Sequence, residues 1–572
     1  MRRAPILPST AKKKQIQNIS LCSTASSTDL TLLGHLRDCT HRKDLAFGRL
    51  CYDHLVQDAL EIDSFWSDQI IRLFAVCGDL VEASHVFDKV AKPSIYTWNA
   101  IISAHVQLND PWGSFQLYKK LHLDGLTPPD RLTYLWILKA CTLIYDVIQG
   151  RIIQIHIILN GLGRDHVLLN TLIGMFAKCG SFGEAEQVFD GLLVRDQVSW
   201  GALISGYVQN GHGLHALKLY ESMQEESITP DRVLLLCITK AIATIGGEMT
   251  QGRIIFNEVV KNGLELDVAI ASCIIDMYGK CGSIEEAKFL FYRLPKRNVV
   301  SWGSLIGAFL NQGSDGMVLD LYTQMRQEGI VADRVIFLGV LKACGSIGAI
   351  DKGKEIHNLI SNKGLLKKDV MLGTAVVDMY AKCGVLEKAH QVLEGLPIRN
   401  VFSWSALIAG YAQQGQGHKA MRCFEHMQGE GLFPDEVTFL CVLNACTHSG
   451  LLDDAQTYFQ SMSKYYGITP SLEHHTCMAV SLGCIGHFDK VISMIKTMPS
   501  SSYLPVWRAL LSACQRWGNV KLGSLAFDQA MQLDDSSSSS YILMANLYAA
   551  SGMQEDAESI EAMRRKMMVG RI

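Results

Sequence analysis

The 572-residue sequence predicts an all-α protein, a right-handed α-solenoid of stacked helix-turn-helix repeats. Three observations predict it. Trp98, Trp200, Trp302 and Trp404 stand 102 residues apart. Cys77, Cys179, Cys281 and Cys383, each followed by a glycine, keep the same interval. Glycines and recurring joints of the form Gly-[Ile/Leu/Val]-x-[Pro/Ala]-Asp then cut each interval into pieces of 31, 35 or 36 residues, the length of one helix pair. A unit that short cannot bury its own apolar face, so neighbours must stack into a continuous core.

The piece 370–400 carries the helical reading. Leu372, Val376, Met379 and Tyr380 recur at i, i+4, i+7 and i+8, which is one face of a helix. Cys383-Gly384 ends it, because glycine tolerates the left-handed conformation of helix C-termini. A second stripe, Leu386, Ala389, Leu393 and Leu396, follows at once, and Pro397 closes the pair.

Taken in order, pieces of 35 and 31 residues cover 29–63 and 64–94. Triplets follow: 95–130, 131–165 and 166–196; then 197–231, 232–267 and 268–298; then 299–333, 334–369 and 370–400. Units 401–435, 436–471 and 472–503 complete fourteen repeats. Two further helix pairs begin at Leu504 and Ser540, joined across the serine run Ser536 to Ser540, which reads as a solvated turn.

Hydrophobic residues make up 48% of the chain and no apolar run is long enough to cross a bilayer, which predicts a soluble protein with no membrane partner. Residues 1–28 hold Arg2, Arg3, Lys12, Lys13 and Lys14 and no acid, so 53 − 5 = 48 basic residues face 56 acidic ones in the remainder, a balance of −8. Such a body does not grip nucleic acid by phosphate neutralisation alone; base contacts or local patches must carry the affinity. The segment 1–28, basic and hydroxyl-rich, reads as an organelle transit peptide, with Arg2 and Arg3 near the start favouring the mitochondrion over the chloroplast; the bland alternative is a disordered basic tail. Among the 17 cysteines the repeated ones hold fixed helix positions, which predicts reduced core residues rather than disulfides.

The stretches 198–224 (VSWGALISGYVQNGHGLHALKLYESMQ), 276–291 (DMYGKCGSIEEAKFLF) and 335–357 (VIFLGVLKACGSIGAIDKGKEIH) resemble the P, S and L motifs of plant pentatricopeptide repeat proteins of the PLS subclass. The last two helix pairs, 504–572, resemble that subclass's E-type, tetratricopeptide-like extension. The resemblance covers about 29–572, with 29–503 as the repeat array. It implies binding of single-stranded organellar RNA and, most often, site recognition for C-to-U RNA editing. It also implies that the fifth and last residues of a repeat face a base and that apolar second residues sandwich neighbouring bases. One base per repeat is a general property of such arrays.

On that reading the fifth positions divide. Leu33, Leu135, Leu236, Leu338 and Leu440 are inert in the long repeats, while Asn99, Asn170, Ser272, Thr374 and Ser405 can hydrogen-bond, and Gly201 and Gly303 offer no side chain. The last positions are Asp130, Asp196, Asp231, Asn298, Asp333, Asn400 and Asp435. An Asp or Asn just ahead of a helix is also an ordinary N-cap, so each alone is open to that explanation. The family's pairings imply U, or less well C, for Asn99 with Asp130 and Asn170 with Asp196. They imply A for Ser272 with Asn298 and Thr374 with Asn400, and G for Ser405 with Asp435. Val167, Val198, Val300, Val335 and Val437 fit the sandwich role, though buried helix-start residues would look alike.

The sequence calls for no cofactor, no metal and no catalytic residue. Neither His-x-Glu nor Cys-x-x-Cys occurs, so the zinc deaminase of some relatives is not expected, and a partner deaminase in trans is. Gly415-Gln-Gly417 reads as a turn, and His475, Cys477, Cys484 and His487 as packing, since their spacings are not those of a zinc site. The alternatives are an organellar RNA stability, processing or splicing factor and, less well supported, a protein-binding scaffold.

Overall fold

The computed structural model describes residues 25–57, 64–246, 249–498, 503–534 and 538–569. Most of the expected transit segment therefore lies outside the described residues. Its last residues do not: the first helix runs Ala25–Arg42 and starts ahead of the expected Asp29, Ser and Thr being ordinary helix-start residues. Among the described residues every α-helix falls into a pair, 32 helices in all, with one 3-10 turn at Leu365–Lys367 and no strand.

The chain forms two compact units, 1–295 and 296–572, each of eight helix pairs. In the amino-terminal unit the first helix of each pair packs on the first helix of the next, as Ser64–Cys77 does on Ile95–Gln107 and His166–Lys178 on Gln197–Gln209. The second helix Pro111–Asp124 lies against its own first helix and against the next, Arg131–Ile144. First helices thus make one layer and second helices the other. The carboxyl-terminal unit repeats the pattern, with Val401–Gln413 on Glu436–Ser449 and Gly417–Gly429 against both.

The 31-residue repeats are short because their second helices are. Leu80–Lys89, Phe182–Asp190, Ile284–Arg293 and Leu386–Glu394 have 10, 9, 10 and 9 residues, whereas Gly213–Glu225 and Ile350–Asn362 have 13. The expected stripes are buried throughout: Leu372, Val376, Met379 and Tyr380 on the first helix, and Leu386, Ala389, Leu393 and Leu396 after it. Gly384 turns between them at φ +79°, and Gly78, Gly180 and Gly282 do the same.

Tryptophan sets the period because it is the largest buried side chain of its repeat, worth roughly 4–6 kcal/mol of burial as an upper bound. Its indole is fastened as well. Trp200 Nε1 donates to Glu226 Oε2 at 3.2 Å, and Arg195 meets Oε1 of the same carboxylate at 3.3 Å. Trp404, Glu430 and Arg399 repeat this at 3.0 and 2.6 Å, and Arg297 pairs with Glu328 at 2.7 Å. At the start of the first triplet Pro93, in the preceding repeat, and Asp124 occupy the Arg and Glu positions. There the buried Trp98 N–H has no partner and borders a cavity of about 580 Å³ lined by Pro93 and Asp124.

Two expectations need correction. Ser538, Ser539 and Ser540 are not a solvated turn: they open the helix Ser538–Ala550, and Ser540 is fully buried with its hydroxyl accepting from Arg508 Nε at 3.4 Å. Serine suits a helix start, where its hydroxyl satisfies what the backbone leaves open. The cysteines of the Cys-Gly pairs, Cys77, Cys179, Cys281 and Cys383, are only half-buried, because they sit at the helix end beside the turn. Cys141, Cys344 and Cys446, inside helices, are core residues as expected. All described cysteines are free.

Candidate nucleic-acid interface

The candidate site is built at the amino ends of the first helices, where last, second and fifth residues meet. All seven last-position residues are N-caps. Oδ1 accepts the N–H of the third helical residue: Asp130 from Thr133, Asp196 from Ser199, Asp231 from Leu234, Asn298 from Ser301, Asp333 from Ile336, Asn400 from Ser403 and Asp435 from Thr438, at 2.7–3.0 Å. Capping, however, uses one atom of two. The second side-chain atom, Oδ2 or Nδ2, has no partner among the described residues at Asp130, Asp231, Asn298, Asp333, Asn400 and Asp435. Only Asp196 Oδ2 is engaged, 3.6 Å from His166 Nδ1. Burial pushes the Asp196 carboxyl up, but the Ser199 bonds, His166 and Asn170 outweigh it and hold the group below the usual carboxylate range.

The fifth side chains reach these same caps. Asn99 Nδ2 donates to Asp130 Oδ1 at 2.9 Å, while Thr133 Oγ1 donates to Asn99 Oδ1 at 2.7 Å. Asn170 Nδ2 lies 3.4 Å from Asp196 Oδ1, and its own Oδ1 is buried without a partner. Thr374 Oγ1 reaches Val370 O at 3.0 Å and Asn400 Oδ1 at 3.5 Å. Ser405 joins Asp435 through Thr438, at 2.8 and 2.7 Å. Ser272 turns its hydroxyl to Val268 O at 2.6 Å.

Fifth and last residues are therefore brought together as expected in the pairs 99/130, 170/196, 374/400 and 405/435. The polar fifth residues are more enclosed than the sequence implied, with Asn99, Asn170, Ser272 and Ser405 at 2–8% exposure. The inert leucines at the same register, Leu135, Leu236, Leu338 and Leu440, are half-buried. Asp231 and Asp333, opposite Gly201 and Gly303, are exposed, and so is Asn298.

The second residues resolve the ambiguity left by the sequence. Val167, Val198, Val300, Val335 and Val437 are 42–66% exposed, so they are not core. Phe65, Tyr96, Leu132, Met371 and Phe402 hold the same register and are exposed too. At Leu132, Val233, Val300, Val335, Phe402 and Val437 an exposed apolar side chain stands next to a half-satisfied cap, a surface built to receive something with apolar faces and polar edges, whereas the caps Asp165 and Asp369 ahead of Val167 and Met371 are also paired with Arg131 and Arg334.

Three of the four residues at the zinc-like spacing bond to other groups. His475 Nδ1 bonds Ser471 O at 2.8 Å, Cys477 Sγ donates to Asn444 Oδ1 at 3.0 Å, and Arg516 Nη1 donates to Cys484 Sγ at 3.0 Å. No cluster of metal-ligating residues occurs among the described residues. Gly415 and Gly417 form the turn between two paired helices, as expected.

Comparison with known proteins places these features. The chain matches the PPR repeat family over 195–233 and 399–448, the PPR repeat over 96–126, 167–196, 270–299, 300–330 and 437–465, and the E motif over 517–570. A mitochondrial pentatricopeptide repeat-containing protein of Arabidopsis thaliana is 31% identical over 555 residues, 91% of this chain and 81% of that one. A chloroplastic one is 31% identical over 520 residues, covering 91% of this chain and 64% of the relative. Another Arabidopsis member is 32% identical, and the chain spans 60% of its length. Among solved structures, the maize pentatricopeptide repeat protein PPR10 superposes with a TM-score of 0.54 at 14% identity, over 99% of this chain and 100% of that one. PPR10 in complex with an 18-nt psaJ RNA element gives 0.57 at 13%, over 100% and 98%.

Proposed function

The chain belongs to the pentatricopeptide repeat family, with the alternating P, L and S repeats and the E motif of its plant members, and from that premise we propose that it reads single-stranded organellar RNA. Its task on this reading is to mark sites for C-to-U editing, a deaminase being recruited in trans through the carboxyl-terminal helices. The observation that carries the reading is the half-used cap: six of the seven last-position residues keep one polar atom without a partner among the described residues, each beside an exposed apolar second residue. Asn170 adds an unpartnered buried carbonyl, an acceptor of the kind that the N3–H of uracil needs.

The matched E motif supports the editing role, and relatives named mitochondrial or chloroplastic support an organelle. Gel-shift assays with the U- and A-bearing RNA that the pairings imply test binding, with all-C RNA as the competitor. Sequencing of organellar transcripts from a plant lacking the protein then tests the role. One lost C-to-U event is the expected outcome; altered transcript ends or abundance with every edit intact would favour the stability and processing alternative. A fusion of residues 1–60 to a fluorescent protein should enter mitochondria, and cytosolic fluorescence would overturn the import reading.

A further inference from the structure

We propose that Trp136 is a stacking platform for one nucleobase at the long repeat 131–165, a repeat whose fifth residue, Leu135, cannot hydrogen-bond to a base. The inference rests on the RNA reading above. It starts from a departure in the repeat pattern: the register that holds Trp136 holds Cys237, Gly339 and Cys441 in the later long repeats. A helix that forms with glycine or cysteine there does not need an indole to fold.

Nor is the indole used as core. Trp136 is half-buried, and its N–H makes no hydrogen bond among the described residues. It lies on the layer of first helices, between two cavities. One, of about 380 Å³, is bordered by Asn99; the other, of about 620 Å³, is bordered by Asn170. Only Leu132 and Trp136 line both, so they form the wall between the two asparagines that are expected to read U.

The charge suits a nucleotide as well. Lys139 Nζ sits over the Trp136 ring, 5.1 Å from its centroid, and Lys139 and Lys178 both line the larger cavity without an ion pair. An aromatic ring with two unpaired ammonium groups beside it matches a base with its phosphates, and ring stacking accepts all four bases because each has a π-face. The repeat contributes affinity where its neighbours contribute choice.

The test uses the full chain and the RNA CUCUCCACCAGCC, one nucleotide per repeat from 64–94 to 472–503, with the third nucleotide opposite 131–165. Trp136→Cys, which installs the residue of the sister repeats, should weaken binding about 5- to 100-fold. Trp136→Phe should keep most of the affinity. An abasic third nucleotide should weaken the wild type to a similar extent and cost Trp136→Cys nothing further. Equal binding by wild type and Trp136→Cys, or losses from variant and abasic site that simply add, would overturn the platform and leave the RNA reading standing. A wild type that binds no single-stranded RNA would overturn both. Thermal unfolding of Trp136→Cys at the wild-type temperature excludes a folding defect, and if it unfolds lower, additivity with the abasic probe decides.

Discussion

Thr374 gives its hydroxyl to Val370 O and only grazes Asn400 Oδ1 at 3.5 Å, while the Asn400 amide nitrogen has no protein partner. Changing Thr374→Asn with Asn400→Asp replaces a hydroxyl and an amide by an amide and a carboxylate, the combination already present at Asn99 and Asp130. The preference of that repeat should move from A towards U by about 1–3 kcal/mol, read by competition between two RNAs differing at one nucleotide. Equal loss on both would reduce the pair to helix capping. A second prediction concerns Tyr145, which lies in the left-handed region at φ +56° where Gly246, Gly348 and Gly450 stand in the other long repeats. Its side chain is exposed, so Tyr145→Gly removes strain at little cost in packing, and thermal unfolding should report a gain of about 1 kcal/mol. At this scale residue types were legible in the sequence, and atom use was not. That Asp130 spends Oδ1 on Thr133 and keeps Oδ2 follows from helix geometry, to which the letter D is blind.

Helix pairs were legible because the periodicity of apolar residues and the Cys-Gly stop are both local. The Arg–Glu–Trp fastening escaped the reading because Arg195 and Glu226 look like two unrelated surface charges until the chain has folded back. Glu226→Ala leaves the buried Trp200 N–H unpaired and should cost about 1–3 kcal/mol. The converse change, Asp124→Glu, lengthens the carboxylate beside the unpartnered Trp98 N–H and should stabilise by about 1 kcal/mol, both measured by denaturant unfolding. The helix Leu472–Cys484 carries a pH dependence. Ser471 N–H donates to His474 Nδ1 at 3.2 Å, so the ring proton sits on Nε2 and donates to Glu436 O at 2.9 Å. Burial, together with the positive charge of His475 when protonated, holds His474 below the ordinary histidine value against the pull of Glu436. Protonation of Nδ1 would set two donors face to face. Because the folded value is the lower one, stability from this group is complete above the unfolded value of about 6.5 and falls as the unfolded chain takes up the proton below it. Amide protection factors in this helix, corrected for the pH dependence of intrinsic exchange, should fall as pH drops through that range, and His474→Gln should flatten the response.

The acidic balance of the whole chain bears on the proposed grip on RNA. On the first helices Lys280 and Lys382 are tied to Asp276 and Asp378 at 2.8 and 2.7 Å, whereas Arg37, Arg72, Lys139, Lys178, Lys240 and Lys342 stand in no ion pair among the described residues. With these six cations as the phosphate contacts, affinity should fall with the logarithm of salt at a slope of about −4 or shallower. A steeper slope would mean that phosphates, and not bases, dominate binding. The order and number of helix pairs were legible in the sequence because a 102-residue period admits one tiling. The joint Ser538–Ser540 was not, since composition alone cannot separate a helix start from a turn. The Arg–Glu–Trp fastening has a last consequence, and it is hereditary. Arg399 reaches from 370–400 to the carboxylate that holds Trp404 in 401–435, and Arg195 reaches from 166–196 to the one that holds Trp200 in 197–231, so each clasp spans the boundary between consecutive triplets. A coding segment one interval long can therefore be copied in frame and re-form the clasp at its new boundary, whereas most inserted segments need neighbours to mutate before they fit. Where Pro93 and Asp124 take the two places, the boundary has no clasp and the Trp98 N–H is left without a partner.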